Sequence, residues 1–229
     1  MSVRVRQFSQ AGLAALLVAI SVVAVAADSF PGGQPQQRIL ETQQKVDNLF
    51  EKGDYERAYF IYRSELAPLG DKYAQYMVGY MNLTGKGVGR DIVAGSAWYR
   101  LAAERGEANF TRVRDELWQH LNEKQRFQSD EEYMNLRNQY SDAMILAELI
   151  EADLVYLEKA AEAGNSDSSA ANSTALELAN QQTNIEQARA SLDTRIDYLE
   201  TALEAGQLMT DDEVSRIRTL QKRAQKLLN

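Results

Sequence analysis

The residues that could carry chemistry are few in kind. His120 is the single histidine and there is no cysteine. A thiolate nucleophile, a disulfide, a thiolate zinc cluster and the lipid-modified cysteine of a lipoprotein all lack their sulfur. His120 stands in Trp118-Gln119-His120-Leu121-Asn122 with no second imidazole, so histidine metal sites and catalytic triads lack their usual parts. It is expected on a helix surface or at a helix end. The run Gly85-Lys86-Gly87-Val88-Gly89 has the glycines of a phosphate loop, but neither a preceding strand nor the Gly-Lys-Ser/Thr ending that holds nucleotide and magnesium. A turn between helices accounts for it, with Gly85 and Gly87 supplying unusual backbone angles and Val88 sealing the turn. What remains is carboxylate chemistry. The 33 acidic residues could supply a general acid and base, but such pairs are defined by their separation and environment in space. No catalytic residue, metal ligand or cofactor is assigned.

The elements that would position any site are helices. From Arg38 onward apolar residues recur every three and four positions, with no strand-like alternation of useful length. Gly53-Asp54, Gly70-Asp71, Gly85 to Gly89, Gly106 and Gly164 each follow a helical stretch and read as helix stops. The segments between them are too short to bury an apolar face alone and suit stacking as helical pairs. A period is visible: Tyr62, Ala67, Gly70 and Asp71 recur 36 residues later as Trp98, Ala103, Gly106 and Glu107. A related ending, Tyr156 to Gly164, returns 42 residues on as Tyr198 to Gly206. The fold class is all-α, a short helical repeat solenoid followed by long amphipathic helices.

One stretch is more specific. Ala74, Gly79, Gly85-Lys86-Gly87-Val88, Asp91, Trp98-Tyr99-Arg100, Ala102-Ala103 and Gly106 follow the order and spacing of the Sel-one-like repeats, a branch of the tetratricopeptide-type solenoids. The chain resembles that family over about 74–106. The segment before it, with Phe50, Gly53-Asp54-Tyr55, Ala58 and Tyr62, resembles a looser unit without the Gly-x-Gly-Val loop, and Asn82 stands where the family usually has an aromatic residue. The resemblance implies protein-binding modules. It implies a structural role for Gly79, Gly85, Gly87, Val88, Asp91, Trp98, Ala102, Ala103 and Gly106, with Trp98 packed between the helices of its own unit. Tyr55, Tyr59, Tyr62, Tyr73, Tyr76 and Tyr80 are candidate partner-binding residues, since tyrosine suits wet binding surfaces as well as interhelical packing. On the binding reading, Tyr73→Ala with Tyr76→Ala weakens partner capture and leaves the fold intact.

Further on, Tyr133, Leu136, Tyr140, Ala143, Ala147, Ile150, Leu154, Leu157 and Ala161 predict one long amphipathic helix, with Ser129 and Glu132 as its capping box. After a loop at Asn165 to Ser173, Leu178, Ile185, Leu192 and Leu199 form a heptad seam, joined by Ile196 and Leu203. Thr210 and Glu213 cap a last helix bearing Val214, Ile217, Leu220, Ala224 and Leu227 on one face. These helices form either an intramolecular antiparallel bundle or a coiled-coil surface for self-association. The expected divisions are a leader at 1–27, a linker at 28–37, a repeat domain at 38–122 and a long-helix region at 123–229.

Arg4 and Arg6 precede an uncharged run from Ala11 to Ala27, the pattern of a secretory signal peptide with cleavage near Ala26 or Ala27. As a helix this run reaches about 26 Å, short of the roughly 30 Å hydrocarbon core, so cleavage is favoured over an uncleaved anchor. Residues 28–37 hold two of the three prolines and read as a tether. Removing the leader leaves 23 basic against 33 acidic residues, a net charge of −10. Nucleic acid and anionic lipid are repelled by that balance. Arg112, Arg114, Lys124 and Arg126 are interleaved with Asp115, Glu116 and Glu123 and read as a solvated helix face. The expected function is a periplasmic or secreted, non-lipidated scaffold or adaptor for other envelope proteins in assembly or secretion. The competing expectations are a carboxylate enzyme or accessory factor for cell-wall or exopolysaccharide material, and a structural coiled-coil oligomer.

Overall fold

The computed structural model describes residues 37–164, 175–204 and 210–228. The expected leader, the tether up to residue 36 and the loop from Asn165 to Ser173 lie outside these residues, as do the side chains of Leu178 and Leu203. The described residues contain helices and no strand. In order they are α1 Gln37–Glu51, α2 Tyr55–Ile61, α3 Lys72–Thr84, α4 Ile92–Ala102, α5 Ala108–His120, α6 Glu123–Tyr140, α7 Asp142–Gly164, α8 Ala175–Glu204 and α9 Asp211–Leu228.

The 36-residue period is visible in the backbone. The helix before each boundary tightens into a 3-10 turn, Ala67–Leu69 after α2 and Ala103–Arg105 after α4. Each turn ends on a left-handed glycine, Gly70 at φ 76° and Gly106 at φ 74°. The next residue is an acid that caps the following helix: the Asp71 carboxylate accepts from the Ala74 N–H, and the Glu107 carboxylate from the Phe110 N–H. One device, a left-handed glycine and an acidic N-cap, ends a helical pair and starts the next.

The α3–α4 turn is fastened backwards onto the preceding pair. Gly87 has φ +71°, and a Cβ there would lie 2.2 Å from the Tyr55 carbonyl oxygen, so the position needs glycine for both conformation and space. Beside it the Lys86 ammonium lies 5.1, 4.8 and 5.2 Å from the ring centres of Phe50, Tyr55 and Tyr80. Val88 packs against the same core. The turn that resembles a phosphate loop in sequence therefore joins consecutive helical pairs.

The expected single helix from Ser129 through Ala161 is two helices. Asn122 and Gln125, rather than Ser129 and Glu132, form the capping box: the Gln125 N–H donates to Asn122 Oδ1 at 2.9 Å and the Asn122 N–H to Gln125 Oε1 at 3.0 Å. Ser129 lies inside α6, buried, with its hydroxyl donating to that of Ser96 on α4. Ser141 takes an extended conformation, φ −68° and ψ 152°, and breaks the run between α6 and α7.

The apolar core of the repeat helices extends beyond residues 122 and 123. Leu136 belongs to the apolar core formed by the first five helices, and Tyr133 and Tyr140 pack against it. A separate core begins at Ala143 and continues through Leu146, Ile150 and Leu154 to Leu192, Leu199, Ile217, Leu220 and Ala224. The cores divide at the α6–α7 corner. Trp98 is buried as expected, but the ring it packs against, tilted at 5.4 Å, is Tyr140 of α6, outside its own unit.

Helices α7 to α9 form an intramolecular bundle. Arg216 reaches Glu151 and Arg223 reaches Glu158, so α9 rises alongside α7, while Arg195 of α8 pairs with Asp153. The heptad positions Leu192 and Leu199 are buried in this bundle, with Ile185 and Ile196 packed against it. The Thr210–Glu213 capping box forms as expected. Both Glu213 oxygens also accept from Arg137 Nε of α6, at 2.9 and 3.1 Å.

The corner itself is ionic and dry. Lys72 Nζ lies 2.7 Å from Glu104 and 3.1 Å from Asp142, and Arg105 Nε lies 2.7 Å from Asp142. The four side chains retain between 2 and 14% exposure. Gln75, fully buried, accepts from Lys72 and donates to the Tyr140 carbonyl at the end of α6. Burial pushes the Asp142 carboxyl upward, but the Lys72 charge and the Arg105 hydrogen bond outweigh it and hold the group below the ordinary aspartate value.

Two expectations follow. Gly87→Ala should lower the thermal midpoint clearly more than Gly53→Ala, since both glycines have positive φ but only Gly87 has backbone within 4 Å of the new methyl. Asp142→Asn should cost about 3 to 5 kcal/mol near neutral pH, because it leaves Lys72 and Arg105 buried beside one carboxylate. A lowered carboxyl pKa contributes stability above the ordinary value of about 3.9 and loses it as pH falls through the folded value, so denaturant titrations should show the two proteins converging in acid.

Candidate interaction surface

The six tyrosines do not share one surface. Tyr62 and Tyr76 are 1% exposed and belong to the core, so neither reaches a partner in the folded chain. The Tyr62 hydroxyl donates to Asp47 Oδ1 at 2.6 Å, tying the end of α2 to α1. Tyr76 stacks between Tyr99 and Phe110, at 5.0 and 5.1 Å. Tyr55 and Tyr80 are half-buried and face Lys86. Burial acts against the Lys86 charge, but the phenols of Tyr80 and Tyr55 outweigh it and raise the ammonium above its usual value. Tyr59 accepts a hydrogen bond from Arg63, and Tyr73 packs edge-on against Tyr62. Burial, followed by the charge of Asp47, pushes Tyr73 up to about 12, so it stays protonated at neutral pH. Interhelical packing explains most of this aromatic set.

The motif residues occupy structural positions. Gly79 lies against the Tyr99 ring and the Gly95 carbonyl, where the close approach of α3 and α4 leaves no room for a methyl. Asp91 caps α4, accepting from the Val93 and Ala94 N–H groups at 2.9 and 3.0 Å. Ala102 and Ala103 are buried, and Gly106 starts the next pair. His120 is exposed at the end of α5, its Nδ1 2.7 Å from the Glu116 carbonyl oxygen, in keeping with a helix-end residue.

A feature absent from the sequence reading is an open groove of about 840 Å³ between the start of α4 and the outer side of α6. Asp91, Asp130, Glu131 and Glu132 are its acids, Val93, Ala94 and Met134 its apolar wall, and Gln128 and Asn135 its amides. No lysine or arginine lines it. Asp130 is held by Arg100 at 2.6 Å, and that guanidinium lies over the rings of Tyr133 and Trp118 at 4.1 and 5.0 Å. Asp91, Asp130 and Glu131 are exposed. A carboxyl general acid is made by a desolvating pocket, so these water-facing groups suit recognition better than proton transfer. The acidic run Asp130-Glu131-Glu132 is plain in the sequence, but starting the helix at Ser129 placed it in a cap and not along a groove. Among the described residues no cluster of three or more histidines or acids is arranged to hold a metal ion.

A known family matches part of this architecture. The Sel1 repeat model matches residues 72–107 and 154–165. Over those two stretches the chain is similar to Sel1 repeats, consistent with a Sel1-like repeat protein. The first match is the α3–α4 pair with the acidic cap that follows it, and the second covers the last turns of α7, inside the bundle. Neither the curated proteins nor the solved structures contain a match to this chain. Sel1 repeats indicate a protein–protein interaction scaffold and are typically non-enzymatic.

Because Tyr76 is enclosed by Tyr99 and Phe110, Tyr76→Ala should cost about 3 to 5 kcal/mol in chemical denaturation, as other large buried aromatics do. The pairing of Tyr73→Ala with Tyr76→Ala therefore tests the fold rather than a binding surface.

Proposed function

We propose that this Sel1 repeat protein is an exported scaffold of the bacterial periplasm that holds a partner of the cell envelope. The observation that carries the scaffold reading is the dry corner at Ser141. It joins the repeat block to a three-helix bundle through Lys72, Glu104, Arg105 and Asp142, and two interaction modules held in fixed register suit an adaptor. Export is supported by the Arg4/Arg6 start and the uncharged run from Ala11 to Ala27. The acidic balance and the absence of cysteine suit a soluble, non-lipidated chain whose partners are proteins. The heptad residues turned into the bundle favour an adaptor over a coiled-coil oligomer.

Cell fractionation with N-terminal sequencing should find the chain in the osmotic-shock fluid, beginning near Ala27 or Asp28. A photocrosslinking residue placed at exposed positions of α6 and α7 should trap one envelope protein reproducibly in intact cells. Retention in the cytoplasm would overturn the export reading, and crosslinks to no specific protein from either helix would overturn the scaffold reading.

A further inference from the structure

We propose that the groove between α4 and α6 docks a basic peptide segment of the partner, one that sets lysine or arginine against Glu131 and Glu132 and an apolar side chain on Met134. The proposal rests on the scaffold reading and adds the surface and the chemistry of the occupant. Of the four acids in the groove, Asp91 is committed to the α4 backbone and Asp130 to Arg100. Glu131 enters no ion pair or hydrogen bond among the described residues, and Glu132 has only the longer-range attraction of Arg63. Both carboxylates add to the mutual repulsion of acids in a chain whose net charge is already −8, and Arg63 offsets only Glu132 in part. A cationic side chain relieves that repulsion, and an anionic partner adds to it.

The apolar part of the groove narrows the choice further. Met134 keeps 40% of its surface exposed against the small side chains Val93 and Ala94. Phe127, 64% exposed, precedes Met134 by seven residues and Glu131 by four, so these three share one side of α6. A segment lying along α6 thus meets apolar, acidic and apolar positions in turn. Its complement is a segment with a basic residue between apolar ones. Free inorganic cations would have no use for the apolar wall, and the missing basic residue leaves nothing to hold a phosphate or a carboxylate.

The test uses the full exported chain and a fluorescent peptide alternating lysine and leucine, with lysine/serine and glutamate/leucine peptides as controls, read by anisotropy. The lysine/leucine peptide should bind saturably, and the two controls should bind more weakly. Glu131→Lys with Glu132→Lys should raise its Kd about tenfold and flatten the salt dependence, with an unchanged melting curve. The same double reversal at Glu148 and Glu162, exposed on α7, should leave Kd as it was. Met134→Ser should weaken the lysine/leucine peptide and spare the lysine/serine one. Equal loss from both reversals would mean a general attraction to an acidic protein and would overturn the proposal. Exclusion of the peptide by calcium alone, or by a second copy of the chain seen as a concentration-dependent mass, would also overturn it. If a partner crosslinks in cells through α7 and not through Met134, the groove assignment fails while the scaffold reading stands.

Discussion

The structure turns on four buried charges. Lys72 and Arg105 come from the α3–α4 pair and its terminal turn, Glu104 from the same turn, and Asp142 from the first residue of α7. Opposite charges in a dry site recover their desolvation cost when geometry and hydrogen bonding are complete, and removing one member leaves a charge stranded. Here the set is complete: the Asp142 N–H donates to Glu104, Arg105 also donates to the Gly70 carbonyl, and Gln75 accepts from Lys72. The Gly70 and Tyr140 carbonyls that receive these bonds are the ends of two other helical segments. The site therefore fixes where α3 starts, where α4 ends, where α6 stops and in which direction α7 leaves. Apolar burial alone has no such directional preference.

Much of the architecture was legible in residue types. Helical periodicity and the glycine stops recovered the fold class, and the recurrence of Gly70-Asp71 as Gly106-Glu107 marked a pair boundary that the backbone repeats in φ and in capping. The misreadings have identifiable physical causes. Ser129 and Glu132 match a capping pattern, but Asn122 with Gln125 satisfies the same donors seven residues earlier, and a serine inside a helix is stable when its hydroxyl finds Ser96 across the interface. The apolar spacing from Tyr133 to Ala161 runs unbroken across Ser141, because periodicity records which face is buried and not which core buries it. The partners that break the helix there, Lys72 and Arg105, lie more than thirty residues away.

The same limit applies to the surface. Tyrosine abundance pointed to recognition, but the space among α1 to α5 takes up Tyr62 and Tyr76, and Lys86 occupies the faces of Tyr55 and Tyr80. An aromatic ring satisfies a packing site and a binding site by the same means, so composition alone does not separate them. The groove on α6 depended on register. Once Glu123 rather than Ser129 lies at the start of the helix, Phe127, Glu131 and Met134 fall into line and the acids become a wall.

The joint at Ser141 has a mechanical consequence. One extended residue separates two helices whose ends are both tied into the charge cluster, and the Arg137–Glu213 bond closes a second tie from α6 to α9. Two ties on a connection one residue long leave no slack. A load applied to the bundle is borne by α3 and α4 through ionic contacts held in place by the surrounding core. The bundle acts on the repeats as a lever arm, with its fulcrum at Asp142, rather than as a weight on a string.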